Sequence, residues 1–348
     1  MSNRELAAAV LGSRAGQFVS RRSGQFADRR SPGGSGSVRI LAYHRVLDAD
    51  PDNFEFDEGV ISASTEAFYH QMDFVRRNFD VLSFKEICDL ETAGKSLPRR
   101  ALIITFDDGY RDNYTQAFPV LKQMGLPVTI FLATGHIGQS RLFWWDTIAY
   151  CVKHARRKAV NLECVSSSPI DLATPDGRRD AITAILRWVK QAPDEMKNRF
   201  LDGLGRELDG ELPDGLAGGM HLSWDEVRQM ADSGIEFGSH TVTHPILTNV
   251  DAATLDRELI ESKKTIERQL GRDCIALAYP VGGRGKFDES VKEAARRAGY
   301  RYGLSYDEGV AALRDSDRYA LPRIHVESDQ TLNLFRAGLM FPGLMFRG

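Results

Sequence analysis

Two adjacent carboxylates, Asp107 and Asp108, close a strongly apolar run, Ala101-Leu102-Ile103-Ile104-Thr105-Phe106, and Gly109 follows them. Such a run reads as a buried strand, and the glycine lets the backbone turn sharply just past the acids. In an α/β fold the carboxyl end of a strand opens into the crevice where sites are built. Farther along the chain, His240 and His244 stand four apart in Gly238-Ser239-His240-Thr241-Val242-Thr243-His244-Pro245. One carboxylate and two imidazoles make a set that zinc and similar divalent ions accept, with a coordination position left open for water. The second carboxylate is then free to act as a base. These residue types point to metal-assisted hydrolysis.

The histidine spacing alone also fits the helical zinc-protease motif, and two features exclude that reading. Thr241 follows His240, so the glutamate of that motif is absent. Pro245 disfavours the α region at His244. The pair is therefore expected on a loop just after a strand at 235–238, where both imidazoles can turn to one point.

The elements that would carry these residues alternate. Strands are expected at 38–44, 81–84, 101–106, 127–133, 235–238, 274–279, 300–305 and 321–326, separated by amphipathic helices. Ser64 and Asp288 are expected N-caps, Ser223-Trp224-Asp225-Glu226 reads as a capping box, and Gly125, Gly234, Gly271 and Gly299 are expected helix stops. This alternation argues for an α/β fold, a deformed (β/α) barrel of roughly seven parallel strands. The rhythm breaks at about 142–221, where two or three helical patterns and one weak strand at 161–165 read as a helical insertion at the barrel rim.

The chain has 348 residues, of which 42% are hydrophobic, enough for one large domain with an insertion. A formal net charge of −3 gives no reason to expect a nucleic-acid partner. Cys88, Cys151, Cys164 and Cys274 lack metal-finger spacing and read as ordinary buried thiols of a reducing compartment. Residues 1–37 are basic, with Arg4, Arg14, Arg21, Arg22, Arg29 and Arg30, and end in a Gly/Ser-rich stretch. They read as a flexible tail preceding a catalytic region at 38–348, with peripheral contact to anionic lipid as the sharper alternative. No signal peptide is evident, so the expected location is cytoplasmic, with association to the inner membrane as the alternative. Leu332, Phe335, Leu339, Phe341, Leu344 and Phe346 are expected to cover the barrel base or to touch a membrane.

The motifs resemble those of the polysaccharide deacetylases of the NodB-homology family, carbohydrate esterase family four. Thr105-Phe106-Asp107-Asp108-Gly109 is similar to the family's first motif and His240-Thr241-Val242-Thr243-His244 to its second. The resemblance implies Asp107 as catalytic base and Asp108, His240 and His244 as ligands of a divalent metal, zinc first. It also implies an acetylated polysaccharide or oligosaccharide as substrate, with N-acetyl groups hydrolysed to amine and acetate. Ala278-Tyr279-Pro280-Val281-Gly282 matches the third motif but has Ala278 where the family usually carries a base-orienting arginine. No clear fourth motif is present. The Tyr-Pro-x-Gly form and the strand end Tyr43-His44 resemble the exopolysaccharide branch of the family. His44 is the favoured general acid and His325 the alternative, while Arg323 either replaces the lost arginine or serves in an ordinary ion pair. Tyr279 and Pro280 are expected to line the acetyl pocket. Trp145 is expected to stack on sugar or to anchor the insertion. O-acetyl ester hydrolysis, and a non-catalytic glycan-binding relic motivated by the missing arginine, stand as alternatives.

Overall fold

The computed structural model describes residues 36–50, 53–210, 212–313 and 317–342. The basic segment falls almost wholly outside the described residues, as do Leu344 and Phe346. Ser37, read as the end of the tail, already belongs to the first strand.

Seven strands form the scaffold: β1 (Ser37–Tyr43), β2 (Ala101–Phe106), β3 (Thr129–Leu132), β4 (Glu236–Ser239), β5 (Ala276–Ala278), β6 (Tyr302–Glu308) and β7 (Leu321–His325). Each pairs in parallel with the next, and β7 pairs in parallel with β1, so the sheet closes into a barrel. Side chains alternate between its two faces. Ile40, Ile103, Phe131, Ala278, Leu304 and Leu321 fill the interior. Leu41, Leu102, Ile104, Ile130 and Leu277 face the surrounding helices. Register sets the height of each strand end. Tyr43 lies opposite Phe106, so His44 and Asp107 leave the barrel at one level, whereas His325 lies opposite Ala42.

Helices α1 (Thr65–Asn78), α2 (Phe84–Thr92) and α3 (Phe118–Met124) accompany the first strands. Helices α4 (Trp144–Lys153), α5 (Pro175–Val189) and α6 (Asp194–Glu207) lie between β3 and β4. Helices α7 (Trp224–Asp232), α8 (Ala252–Leu270) and α9 (Glu289–Arg297) serve the later strands, and α10 (Leu332–Met340) follows β7. The capping box at Ser223 forms as expected. Among the described residues, no helix is long and apolar enough to cross a membrane.

Three expectations need correction. Residues 81–84 are not a strand: strand geometry ends at Val81, and Ser83 with Glu86 forms a second capping box that starts α2 at Phe84. The weak strand at 161–165 is absent; a two-residue pairing of Ala159–Val160 with Ile170–Asp171 takes its place. Among the described residues the barrel base is covered by α2, not by α10. Phe84 and Ile87 join the interior cluster, and the Glu236 carboxylate at the foot of β4 accepts hydrogen bonds from the Phe84 and Lys85 amides. Phe335 and Leu339 of α10 instead pack in the outer layer, with Phe335 against Phe74 of α1.

Helices α4 to α6 enclose a cluster of their own, including Ile148, Val152, Ile185 and Leu204, which is continuous with Tyr110, Ala133 and Phe143 at the barrel rim. The chain returning from α6 binds the acidic turn directly: Leu222 N donates to Gly109 O at 3.0 Å and Arg111 N to Met220 O at 2.8 Å. Two buried histidines sit at this joint. His221 Nε2 lies 2.7 Å from Arg141 O and His136 Nδ1 lies 3.3 Å from the same oxygen. His136 also stacks on Phe143 at 4.0 Å.

Burial pushes the His136 imidazole down to about 3 and that of His221 down to about 4, against an ordinary 6.5. The unfolded chain therefore binds protons that the folded chain refuses, and stability present above pH 6.5 is lost as pH falls through that value towards 4. Each histidine should contribute a slope of roughly 1 kcal/mol per pH unit in that window. Urea unfolding of the chelated protein between neutral and acid pH should give this slope, and His221→Phe should flatten it; an unchanged slope would show that His221 is not held neutral by the fold.

Candidate active site

Asp107 and Asp108 sit at the top of β2, just past its last residue. Asp107 N donates to Tyr43 O at 2.9 Å, and Gly109 N turns back to Asp107 O at 3.0 Å. Asp108 takes the left-handed region, with φ of 76°. That conformation, costly for a residue with a Cβ, breaks the alternation of the strand. Both carboxylates therefore face one cavity instead of opposite faces of the sheet, contrary to what adjacent strand positions suggest. Gly109 continues the turn at φ 81°, and a Cβ there would lie 2.9 Å from both Leu132 Cδ2 and Ile137 Cδ1.

The histidine pair lies on a loop at the top of β4, as the proline predicted. His240 follows the strand directly, and His244 has a left-handed φ of 57°, outside any helix. His240 Nδ1 lies 2.7 Å from Ala278 O. A carbonyl can only accept, so Nδ1 carries the proton and Nε2 presents its lone pair. His244 Nε2 lies 3.1 Å from that nitrogen, and Asp108 Oδ1 lies 3.5 Å from His240 Nε2 and 3.4 Å from His244 Nε2. Both Asp108 oxygens are buried without a hydrogen-bond partner.

Lone pairs and a carboxylate crowded together in a dry site repel unless a cation or protons sit among them. Accordingly burial, then Asp107 and Asp146, push the Asp108 carboxyl well above its ordinary value, and burial pushes both imidazoles down. The donor set of two imidazole nitrogens and one carboxylate oxygen, all within 4.8 Å of one another, fits a divalent metal.

Asp107 has a different environment. Arg323, rising from β7, donates from both terminal nitrogens, one to each Asp107 oxygen, at 2.8 Å. Its Nε donates to Ser305 O at 2.9 Å. Neither residue is measurably exposed beyond 1%. Burial alone would raise the Asp107 carboxyl; the guanidinium outweighs it and holds the group well below the usual carboxylate range. Where the third motif lacks its arginine, the Ala278 carbonyl orients His240 and Arg323 orients Asp107 from another strand.

These groups form the floor of a cavity of about 500 Å³. His44 lines it, with its backbone fixed on both sides: His44 N donates to Ser62 Oγ at 3.0 Å and Asn113 Nδ2 to His44 O at 2.8 Å. His325 is not on the cavity wall; it stacks at 3.7 Å on Tyr306, which is. Trp145 lines the cavity, meets the His244 ring edge-on at 4.7 Å and donates from Nε1 to the Tyr110 hydroxyl at 2.7 Å, so it is both wall and anchor. Tyr279 lines the cavity with its hydroxyl tied to Tyr319 O. Pro280 is buried but does not reach the wall; Val281, left-handed at φ 62°, takes that place. Ile182, Leu186 and Lys190 of the α5 region close the opposite side.

Sequence reasoning missed the supports. Asp112 accepts from Arg45 Nε at 2.8 Å, and the Arg45 guanidinium lies 4.3 Å from the centre of the Tyr110 ring. Tyr110 donates to Asp146 Oδ2 at 2.7 Å, and Asp146 Oδ1 accepts from Asp57 N, tying the cavity-lining segment around Asp57 to α4. Each is one charged or polar residue among many in its segment; only burial sets it apart, and burial has no local signature.

The family profile of the polysaccharide deacetylases matches residues 94–303, more than half of the chain. A Staphylococcus epidermidis poly-beta-1,6-N-acetyl-D-glucosamine N-deacetylase is 25% identical over 303 residues, covering 84% of this chain and 80% of its own length. Among solved structures, the Streptococcus pyogenes deacetylase PplD in complex with acetate superposes with a TM-score of 0.57 at 18% identity, covering 86% of this chain and 97% of its own. IcaB from Ammonifex degensii gives 0.54 at 18% identity, over 88% and 98% of the two chains. At such identities the structural likeness speaks for the fold alone. The barrel, the two motifs and the profile match together place this chain in the polysaccharide deacetylase family, the hydrolases of the NodB homology domain.

Proposed function

We propose that the chain is a metal-dependent N-deacetylase acting on N-acetylglucosamine units of a bacterial exopolysaccharide. Asp108, His240 and His244 hold the ion, zinc first; Asp107 is the general base and His44 the general acid. The observation that carries this reading is the pairing of a buried, otherwise unpartnered donor set with a neighbouring carboxylate locked in its charged form. Arg323 in that pairing also removes the motive for a non-catalytic relic, because the base is oriented after all. The choice of glycan rests on the name of the staphylococcal relative and on the aromatic walls Trp145, Tyr279 and Tyr306, which suit sugar faces.

A bound divalent ion supplies Lewis-acid polarisation of the acetyl carbonyl and a more acidic water. The chain's own groups do the rest. Arg323 occupies one lone pair on each Asp107 oxygen and leaves the others to accept the proton of the attacking water. Burial pushes the His44 imidazole down to about 4, with the Asp107 charge as the largest opposing influence, so His44 starts neutral. With one lone pair and one N–H it can take a proton passed from Asp107 and give its other proton to the departing amine.

Acetate should be released from β-1,6-linked N-acetylglucosamine oligomers, lost on chelation and restored by zinc. Asp107→Asn should keep bound metal while turnover falls by about 10²–10⁴, and His240→Ala should lose the metal. Release from O-acetylated glycans alone would favour the ester reading. Full activity in Asp107→Asn would remove it from the base role.

His44→Gln should lower kcat by at least about 10², with His325→Gln close to the parent protein. The opposite ranking would transfer the acid role to His325. Arg323→Met should destabilise the fold by about 3–5 kcal/mol in urea unfolding at neutral pH, because Asp107 is left buried and unpaired. A much smaller loss would mean that the carboxylate finds water or another partner.

A further inference from the structure

The His240–His244 turn is held in an unfavourable shape by one side chain outside every motif, Glu258 of α8. Thr241 and His244 both sit in the left-handed region, at φ 68° and 57°. Non-glycine residues stay there only where the surroundings insist on it. Thr134 N and Gly135 N donate to the Thr241 and Val242 carbonyls at 3.0 and 2.8 Å, and His244 N donates to Thr241 Oγ1 at 3.1 Å. The remaining donors at the centre of the turn go to Glu258. Its Oε2 accepts from Val242 N at 2.7 Å and from Thr243 N at 2.9 Å, and its Oε1 accepts from Thr243 Oγ1 at 2.8 Å. Only 3% of the residue is exposed, and no cation pairs with it among the described residues. Four residues on, Ser262 shares a hydrogen bond with Ser239 at 2.7 Å, and Ser239 Oγ in turn accepts from Thr241 N at 3.1 Å. One face of α8 thus grips the turn at its entry and at its crest.

We infer that Glu258 is a positioning residue for the metal site, a carboxylate that fixes the turn so that both imidazoles converge with Asp108. The inference rests on the metal reading above. Without Glu258 two adjacent N–H groups would seek water, and the turn would relax towards ordinary backbone angles. His244, whose Nδ1 has no partner of its own to orient the ring, would then drift from His240 and Asp108.

The test is zinc titration of the metal-free protein against a chromophoric chelator, with urea unfolding of the same metal-free samples. Glu258→Ala should weaken zinc binding by about 10–100-fold. Thr243→Val, which deletes only the hydroxyl contact, should weaken it less. Activity lost at limiting zinc should return with excess zinc in both, an effect that general loosening of the fold would not produce. If Glu258→Ala does not fold, Glu258→Gln, which keeps the shape and loses the charge, should still bind several-fold more weakly than the parent. Parental zinc affinity in a folded Glu258→Ala, or in Glu258→Gln when the alanine variant fails, would overturn the inference. A parent protein that takes up no zinc, cobalt or manganese would instead bring down the metal reading itself.

Discussion

Arg323 and Asp107 form a two-pronged ion pair inside a closed barrel, and the arrangement of the site depends on it. A lone carboxylate at that depth would be driven to its protonated form, since desolvation penalises charge. The guanidinium reverses this and fixes the plane of the carboxylate through two parallel hydrogen bonds. By register Arg323 starts four residues below the level of Asp107, Ile324 lying opposite Leu41 and Leu41 opposite Ile104. Only a long, planar, permanently charged side chain suits such a reach, and lysine could not form the fork. The pair need not make the protein more stable than an apolar core would. What it secures is a carboxylate that is charged, oriented and adjacent to the donor cluster.

Around this pair the fold keeps two neighbouring acids in opposite electrostatic conditions. Asp107 is compensated by an arginine; Asp108 is buried with no hydrogen-bond partner and pressed by Asp107 and Asp146. Such a split gives two consecutive residues the opposite properties that the proposed base and metal ligand require. The left-handed turn at Asp108 makes it possible, because an extended residue there would carry its carboxylate out of the cavity. Similar backbone strain at Thr241, His244 and Val281 surrounds the same cavity, and the strain is carried by well-packed neighbours.

The helices between β3 and β4 give the cavity its second wall. Their cluster runs without a break into Tyr110 and Phe143 at the rim, and Trp145 joins α4 to the ring of His244. The chain from α6 then returns along the acidic turn itself. The region is therefore a structural partner of the polysaccharide deacetylase barrel, and Trp144, Trp145, Ile182 and Leu186 from it set the shape of the cavity.

Much of the fold was legible in the amino-acid order. Alternating strands and amphipathic helices imply a parallel barrel, because period-2 and period-3.6 patterns follow from local geometry. The Asp-Asp-Gly strand end and the proline after His244 likewise act through their immediate backbone neighbours, so the strand-top acids and the histidine loop could be read directly. The misreadings at 81–84 and 161–165 are short, mixed stretches in which a cap or a turn outweighed the β propensity of their few apolar residues. Other features belong to the tertiary structure alone. Arg323 stands 216 residues from Asp107, and an arginine in a strand looks alike whether it faces solvent or an acid across the barrel. Register placed His44 on the cavity wall and His325 behind Tyr306, though both histidines end strands. Glu258 is one charge on a charged helix until the turn folds over it. The amino-acid order determined which residues could do chemistry, because composition and spacing are local. Closure of the barrel decided which of them meet, because burial and long-range pairing exist only once distant strands share an interior.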